Sequence, residues 1–289
     1  MESNDKTIKF MKKISIVTAS FNSEKFIEQT INSVLSQNYP NLEYIIIDGS
    51  STDKTVDIIK KYQHSLAYWT SEKDNSMYDA INKGFRKSTG DIMGWLNSDD
   101  LLHPGSLSVI NQIFSQFDNV NWVTGIPTKC DSQGRTCKVA DLPIWSKEKY
   151  YIGQLKSIQQ ESTFWTRSLW EKAGSKLDEQ YTLAADHELW ARFFLYEDLY
   201  TINALLGCFR KHDYQLTEEK RDEYFKQVNQ IRNQYKKKIK GINYLSYKTK
   251  TFANNILPGF ITKSNKYNKH FIKRKLITYN FEKNKFVIK

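Results

Sequence analysis

The pair of carboxylates that follows a short apolar run is the strongest chemical signal in the chain. The residues from Asp91 to Asp100 read DIMGWLNSDD, so an apolar strand leads directly into Asn97, Ser98 and the two acids. An ionised carboxylate is costly to bury unless a cation or donors offset its charge, and Mg²⁺ or Mn²⁺ prefers such oxygen ligands. The pattern predicts a divalent metal that holds a diphosphate at this strand end. A solvated turn is the alternative, and the Pro-Gly pair that follows favours it.

Two further polar clusters follow strands in the same half of the chain. Ile14 to Thr18 is a β-branched run, and Tyr44 to Ile47 is a continuous apolar run that ends at Asp48. Each run precedes apolar residues at helical spacing, which gives a β-α-β-α order. Continuous apolar strands indicate a mostly parallel, doubly wound α/β sheet covered on both faces. Ligands bind beyond the carboxyl ends of such strands, so Thr18-Ala19, Asp48 and Asn97 to Asp100 are predicted to meet at one edge.

The composition limits the class of protein. The 289 residues are 39% hydrophobic, which allows one large domain or two small ones. Three cysteines without framework spacing, and no apolar N-terminal segment, predict a reducing, cytosolic compartment. No run of about 18 apolar residues occurs, so no segment is expected to span a bilayer.

Four motifs in the chain resemble those of a known enzyme family. They read ISIVTASFNSEKFIEQTINSVLSQNYPNLEYIIIDGSSTDKT, MYDAINKGFRKSTGDIMGWLNSDD, QQESTFWTRSLWEKAG and LDEQYTLAADHELWARF, and they lie between Lys13 and Gln215. In this order and spacing they resemble the family-2 inverting glycosyltransferases with the Rossmann-like GT-A fold, particularly bacterial enzymes of surface-polysaccharide assembly. One motif would be a weak match, but four in the family's order are hard to obtain by chance.

The resemblance implies a reaction and an order of domains. A sugar would pass, with inversion, from a UDP-, GDP- or dTDP-linked donor to a hydroxyl of a glycan or lipid-linked oligosaccharide. Mn²⁺ or Mg²⁺ would assist, and the product would enter a bacterial capsule, O-antigen or exopolysaccharide. Residues 12–125 would bind the nucleotide-sugar, residues 126–215 would bind the acceptor and carry the catalytic base, and residues 216–289 would form a basic amphipathic helical tail.

One group of residues is assigned by the resemblance to the nucleotide-sugar. Asp48 resembles the aspartate that contacts the nucleotide base, because a carboxylate accepts hydrogen bonds from the donor edge of a nucleobase. Lys83 lies on a helix expected beside the diphosphate, where a cation neutralises phosphate charge. The predicted set is Thr18, Ala19, Phe21, Asp48, Asp79, Asn82, Lys83, Asn97 and Ser98. For its helical members, a solvated helix face is the alternative.

Asn97-Ser98-Asp99 occupies the position of the family's metal-binding Asp-x-Asp motif. Asp99 is the expected ligand of the metal that bridges the diphosphate. Asn97 replaces the first aspartate of the motif, and its neutral oxygen can bind the ion but adds no charge, so Asp99 must contribute more. His212 resembles the late histidine that completes the metal coordination in many GT-A enzymes. An ordinary surface or core histidine is the alternative.

Asp186 begins the apolar segment DHELWARFFL and matches the family's catalytic base. The N-terminus of a helix favours negative charge, so Asp186 would stay ionised and accept a proton from the acceptor hydroxyl. A simple helix cap is the alternative role, and Glu188 is the nearest rival carboxylate, although it points away from Asp186. Gln160, Glu161 and Trp165 fall where related enzymes shape the acceptor pocket.

Two other classes of function account for parts of the sequence. A nucleotidyltransferase also combines a doubly wound sheet with a carboxylate-bound metal, but it needs a glycine-rich, basic phosphate loop after the first strand. The segment from Thr18 to Asn22 has neither a glycine nor a basic residue. A nucleic-acid-binding protein would explain a basic tail but not the carboxylate pair in an acidic body, so no nucleic-acid partner is expected.

The positive charge of the chain is confined to its C-terminal part. The formal net charge is +11, but residues 224–289 hold 17 Lys and Arg against one acid, which leaves −5 for the rest. Lys236 to Lys240 and Lys273 to Lys275 alternate with or border apolar residues, as in segments that lie on membranes. We therefore expect residues 224–289 to hold a cytoplasmic, peripheral protein on the anionic inner face of the cell membrane. Packing on the catalytic domain, or a homo-oligomer, is the alternative.

Overall fold

The computed structural model describes residues 11–151, 153, 157–213, 219–238 and 275–289. The strands in these ranges are β1 (Ile14–Ser20), β2 (Leu42–Asp48), β3 (Tyr68–Ser71), β4 (Ile92–Trp95), β5 (Leu101–Leu102), β6 (Trp122–Thr124), β7 (Thr128–Cys130), β8 (Thr136–Val139), β9 (Thr163–Thr166), β10 (Tyr200–Ile202), β11 (Gly207–Arg210), β12 (Leu276–Asn280) and β13 (Lys285–Ile288). The helices are α1 (Ile27–Leu35), α2 (Thr55–Tyr62), α3 (Met77–Lys87), α4 (Ser106–Gln116), α5 (Lys147–Tyr151), α6 (Arg167–Lys172), α7 (Ala185–Phe193) and α8 (Arg221–Lys238).

Nine of the described strands form one sheet, in the order β13-β12-β10-β6-β9-β4-β1-β2-β3. Every pairing in it is parallel except those made by β9 and β13. A second sheet of four strands has the order β5-β11-β7-β8 and adds the segment that leads to His212. The prediction of a mostly parallel, doubly wound α/β sheet is confirmed.

Apolar side chains cover both faces of the large sheet. In β1, Ile14 and Ile16 belong to one buried layer, whereas Val17 and Ala19 belong to the other. Helices α1, α2 and α4 cover the first layer, and α3, α6 and α7 cover the second. Because both faces are buried, both alternating sets of side chains must be apolar, which explains why the strands are continuously apolar in the sequence.

The register of the parallel strands brings their carboxyl ends to one edge. Ser20 at the end of β1 pairs with Asp48 at the end of β2, and Val17 pairs with Trp95 at the end of β4. The loops beyond β1 and β4 meet there, with the hydroxyl oxygens of Ser23 and Ser98 2.7 Å apart. The predicted meeting of the strand ends is confirmed for β1, β2 and β4.

The described C-terminal residues are part of the fold. Helix α8 packs on α7 and contributes Val228, Ile231 and Tyr235 to the same buried layer as Trp190. The prediction of a helical tail holds for Arg221–Lys238, but it is wrong for Leu276–Ile288, where β12 and β13 extend the large sheet. Residues 239–274, with most of the two basic membrane segments, lie outside the described residues. No helix in the described ranges is long and apolar enough to cross a membrane.

Candidate active site

A tight turn after β4 gives the two adjacent acids different surroundings. The hydroxyl of Thr30 on α1 lies 2.9 Å from the carbonyl oxygen of Ser98 and 2.8 Å from that of Asp100, which fixes the turn to the helix. Asp99 keeps 30% of its side chain exposed at the edge of the sheet. Asp100 is buried, and its burial, together with the charge of Asp99, raises its pKa well above the usual range.

Asp100 is anchored by Arg210, a residue that the sequence analysis missed. The backbone N–H of Arg210 donates to Asp100 Oδ1 over 2.9 Å, and its buried side chain donates to the carbonyl oxygens of Asp99 and Ser132. A sequence signal for Arg210 does exist, because it stands two residues before His212 in an extended segment. Side chains at that spacing share a face, so Arg210 and His212 both reach the turn after β4.

Asp99 and His212 are brought together as predicted for a shared metal. His212 Nε2 lies 2.9 Å from Asp99 Oδ2, and the ring of Phe26 packs on the imidazole with centroids 4.7 Å apart. Adjacent ligands of an octahedral ion bound at about 2.1 Å are roughly 3 Å apart, so the pair fits Mg²⁺ or Mn²⁺. Asn97 Oδ1 is buried and accepts no hydrogen bond within the described residues. No group of three or more His, Cys, Asp or Glu suited to a metal occurs in that part of the chain, so substrate oxygens or water would complete the shell.

Asp48 is fully buried at the end of β2, and both of its oxygens already accept hydrogen bonds. Oδ1 accepts from the hydroxyls of Ser20 and Ser51, at 3.0 and 2.6 Å. Oδ2 accepts from the backbone N–H of Ser51 and the hydroxyl of Ser71, at 2.9 and 2.7 Å. These four bonds tie the ends of β1, β2 and β3 together. A contact between Asp48 and a nucleotide base would have to replace one of them, so that role stays a prediction.

Three of the predicted donor residues have enclosed side chains, which contradicts a side-chain contact with the nucleotide-sugar. Thr18 and Ala19 lie inside β1, and Thr18 Oγ1 is 3.1 Å from the buried hydroxyl of Tyr44. Asn82 accepts from the N–H of Leu177 over 2.8 Å and donates to its carbonyl oxygen and to Glu179. Asn82 therefore joins α3 to the segment before α7. The motif identified the correct elements but not the direction in which these side chains point.

The other predicted donor residues lie near the edge. Phe21, directly after β1, is 63% exposed and is free to cover a bound ligand. Asp79 accepts from the N–H of Asn75 over 3.0 Å, and its Oδ2 lies 3.5 Å from Lys83 Nζ. Lys83 also lies 3.7 Å from Glu72 Oε1, so two acids already share its charge. A phosphate contact by Lys83 would compete with both acids.

Gln160 and Glu161 belong to a short 3-10 turn, Gln160–Ser162, that directly precedes β9. Gln160 donates to the carbonyl oxygen of Trp95, and Gln160 Oε1 and Glu161 Oε1 are buried without a donor among the described residues. Burial raises the pKa of Glu161 to about 8, and the charges of Asp99 and Asp186 add to the shift. Glu161 is therefore protonated at neutral pH and lies within electrostatic reach of both the predicted metal ligand and the predicted base.

Trp165 is a core residue, which contradicts its prediction as an acceptor-binding residue. Its side chain has no exposed surface, and its ring packs against Trp95 and Trp190 with centroids 5.7 and 5.6 Å apart. Sequence position placed it correctly on β9. The alternation of side chains along a strand decides the face, and Trp165 points into the aromatic layer beneath the site.

Asp186 is half-buried in the first turn of α7, and its Oδ1 is enclosed without a donor among the described residues. Burial raises the pKa of Asp186 to about 6. A carboxylate with that pKa is ionised at neutral pH yet is a stronger base than an exposed one. Glu188 is committed elsewhere, because its Oε2 forms an ion pair of 2.6 Å with Arg192 and its Oε1 accepts from Tyr235. Glu188 is thus the less available of the two, and the role of Asp186 as base stays a prediction.

A family model described as glycosyl transferase family 2 matches residues 15–198. The chain belongs to glycosyl transferase family 2. An uncharacterized glycosyltransferase of Rickettsia typhi is 27% identical to this family 2 chain over 209 residues, which are 71% of this chain and 65% of the relative. The chain thus spans just under two thirds of that relative's length.

Solved structures show the same fold as this family 2 chain. S. aureus TarS 1–349 in complex with UDP-GlcNAc aligns with a TM-score of 0.60 and 16% identity, over 76% of this chain and 65% of that one. Mannosyltransferase PcManGT from Pyrobaculum calidifontis, in complex with GDP-Man and Mn²⁺, aligns with a TM-score of 0.53 and 13% identity, over 90% and 83%. The predicted GT-A fold is confirmed. The family match ends before α8, β12 and β13.

Proposed function

We propose that the chain is a metal-dependent, inverting glycosyltransferase that moves a sugar from a nucleotide-sugar to a hydroxyl of a glycan or lipid-linked oligosaccharide in bacterial polysaccharide synthesis. One observation carries the proposal. The Asp99–His212 pair, Glu161 and Asp186 come from distant parts of the sequence, yet the charges of Asp99 and Asp186 both act on Glu161. Both the Asp99–His212 pair and Asp186 are therefore close to Glu161, which supports a single site that serves the leaving diphosphate and the acceptor.

The residues divide the reaction between them. Asp99 and His212, with Asn97 nearby, would hold a divalent ion, which when bound supplies positive charge for the leaving diphosphate. Asp186 takes the proton from the acceptor hydroxyl as the new glycosidic bond forms and the bond from sugar to diphosphate breaks. Such a single displacement inverts the anomeric carbon and needs no nucleophile from the protein. The protonated Glu161 adds no negative charge to the site.

The donor is proposed to be a nucleoside diphosphate sugar linked to UDP, GDP or dTDP. TarS and PcManGT share the fold and were solved with UDP-GlcNAc and with GDP-Man and Mn²⁺, which supports this class of donor. Asn97, Gln160, Glu161 and Asp186 each have a buried side-chain oxygen that accepts no hydrogen bond from the described residues. Such oxygens also suit a ligand rich in hydroxyl groups. Each such buried oxygen is costly until a donor or cation reaches it.

A panel of nucleotide-sugars tests the proposed function. We expect one UDP-, GDP- or dTDP-sugar to raise the melting temperature in the presence of Mn²⁺ and to release its diphosphate when an acceptor is added, because binding to the folded state alone stabilises it. Melting curves and a diphosphate-release assay measure the two effects. Nucleoside monophosphates serve as the control, since they lack the diphosphate. The proposal fails if no donor stabilises the protein and none is turned over.

We also propose that the enzyme works on the cytoplasmic face of the membrane. β12 runs in the same direction as β4, because both β4 and β6 are antiparallel to β9 and β10 is parallel to β6 and β12. The turn after β12 therefore lies at the same edge as the candidate site. Phe281 in that turn is 87% exposed, beside exposed Lys283 and Lys285. An aromatic tip among lysines suits an anionic lipid surface.

Liposome sedimentation tests this attachment. We expect the double variant Phe281→Ser, Lys283→Ala to bind anionic vesicles about tenfold or more weakly, because one apolar anchor and one cation of roughly 1 kcal/mol are lost. The control Val139→Ser removes another exposed apolar side chain, on β8, and should bind normally. Point changes are preferable to truncation, which would remove two strands of the sheet. Salt-insensitive binding, or equal binding of the double variant, would contradict the proposal.

A further inference from the structure

Helix α8 is tied to the segment that leads into the predicted base. Gln227 accepts from the N–H of Leu183 over 3.0 Å and donates to the hydroxyl of Thr182 over 3.1 Å. Two turns further on, Gln234 Oε1 accepts from the hydroxyl of Tyr181 over 2.7 Å. The apolar face of α8 is buried against α7. These bonds place α8, which lies beyond the family match, beside the start of α7.

His187, next to Asp186, is held by two tyrosines whose hydrogen bonds fix its proton. The imidazole is fully buried, and burial lowers its pKa to about 3, so it is neutral and carries one N–H. The Tyr150 hydroxyl donates to the carbonyl oxygen of His187 over 2.7 Å. Since that proton is used, the 3.1 Å contact between Tyr150 and Nδ1 must be a bond donated by Nδ1–H.

The orientation of His187 decides the orientation of Tyr224 on α8. Nε2 carries no proton, so it accepts from the Tyr224 hydroxyl over 2.8 Å. The single proton of Tyr224 is therefore directed into the protein, and its oxygen keeps lone pairs for another donor. Tyr224 is only partly buried, and within the described residues no group donates to that oxygen. Burial and the nearby charge of Asp186 raise the pKa of Tyr224, consistent with its position beside the base.

We propose that Tyr224 positions the acceptor: its hydroxyl oxygen accepts a hydrogen bond from a second hydroxyl of the acceptor sugar, next to the one that Asp186 deprotonates. This inference rests on the proposed transferase function. Tyr224 can accept but not donate in this arrangement, so it favours a ligand that carries a free hydroxyl there. A sugar with several neighbouring hydroxyls meets that requirement, and water as acceptor gains nothing from it.

The variant Tyr224→Phe keeps the ring and removes only the hydroxyl. We expect it to raise KM for n-octyl glycoside acceptors about tenfold, the effect of one lost hydrogen bond to the ligand. Hydrolysis of the donor by water should keep its wild-type rate, since water does not use Tyr224. The control Tyr235→Phe removes a hydroxyl from the same helix, where it bonds Glu188, and should lower the melting temperature without changing acceptor KM.

The outcomes separate this inference from the proposed function. Equal acceptor KM in wild type and Tyr224→Phe, with transfer intact, overturns the role of Tyr224 alone. An equal loss of hydrolysis and transfer also overturns it, because Tyr224 would then only support His187. Binding of the octyl glycosides in the presence of UDP or GDP, measured by saturation-transfer NMR, needs no turnover. If the wild-type protein neither binds the glycosides nor turns over any donor, both proposals fail.

Discussion

Replacing Asp186 by Asn is expected to slow sugar transfer by about 10²- to 10⁴-fold while leaving the affinity for the donor unchanged. Asn keeps the size of the side chain but cannot take the proton of the acceptor hydroxyl. Steady-state transfer and calorimetric donor titration measure the two quantities. Asp57→Asn is a matched control, because Asp57 also lies in the first turn of a helix but is exposed on α2.

The pH dependence of transfer and of stability gives an independent check of the role of Asp186. Asp186 must be ionised to act, so wild-type transfer should rise as the pH passes upward through about 6. The folded-state pKa lies above the ordinary aspartate value of 3.8, so the stabilisation from a protonated Asp186 is present below pH 3.8 and is lost as the pH rises through about 6. Asp186→Asn should therefore be at least as stable as wild type at pH 8. Near-normal turnover in this variant at neutral pH would show that the base lies elsewhere.

Removal of divalent metal is expected to weaken the binding of a nucleoside diphosphate by at least tenfold. Without an intervening cation, Asp99 and the diphosphate repel each other, and two like charges 4 Å apart near a protein surface cost about 4 kcal/mol. Calorimetric titration of UDP and GDP with Mn²⁺ and with a chelator measures the difference. Asp99→Asn should abolish the dependence on Mn²⁺.

Asn97→Asp provides a control of opposite sign for the metal prediction. It restores a carboxylate at the first position of the motif, so diphosphate binding in Mn²⁺ should be retained or become tighter. Equal affinity of the wild-type protein with and without metal would remove Asp99 from the metal role. A metal-independent transferase would then be the surviving form of the proposal.

The local features of the sequence were sufficient to predict the sheet and the edge that carries the site. Continuous apolar runs indicated strands buried on both faces, and Asp48 and Asp99 were found at strand ends because polar residues interrupt those runs. His212 was expected near Asp99 from the family resemblance, and the two side chains lie together. The placement of the strands, and of Asp48 and Asp99 at their ends, depends on the periodicity of single elements and on the order of elements along the chain.

The remaining features depend on contacts between distant parts of the chain. Asn82 bonds Leu177, and Arg210 bonds the turn after β4, partners that no local pattern specifies. Trp165 and Thr18 were placed in the correct strands. Whether their side chains face a ligand or are buried is decided by the packing of a whole layer. The pairing of β12 with β10 also escaped the sequence analysis, because the strand directly follows the basic run from Lys273 to Lys275, which was interpreted as an interfacial segment.

The pairing of β12 with β10 affects how the protein can be made. Until residues 276–280 leave the ribosome, β10 has no partner on its outer side within the described fold. The strands on its other side, β6, β9, β4, β1, β2 and β3, have by then all been synthesised. An open edge of this kind offers unpaired N–H and C=O groups to any passing strand. The nascent protein therefore exposes the edge of β10 until β12 pairs with it, so slow or interrupted translation of residues 203–275 should increase its need for chaperones.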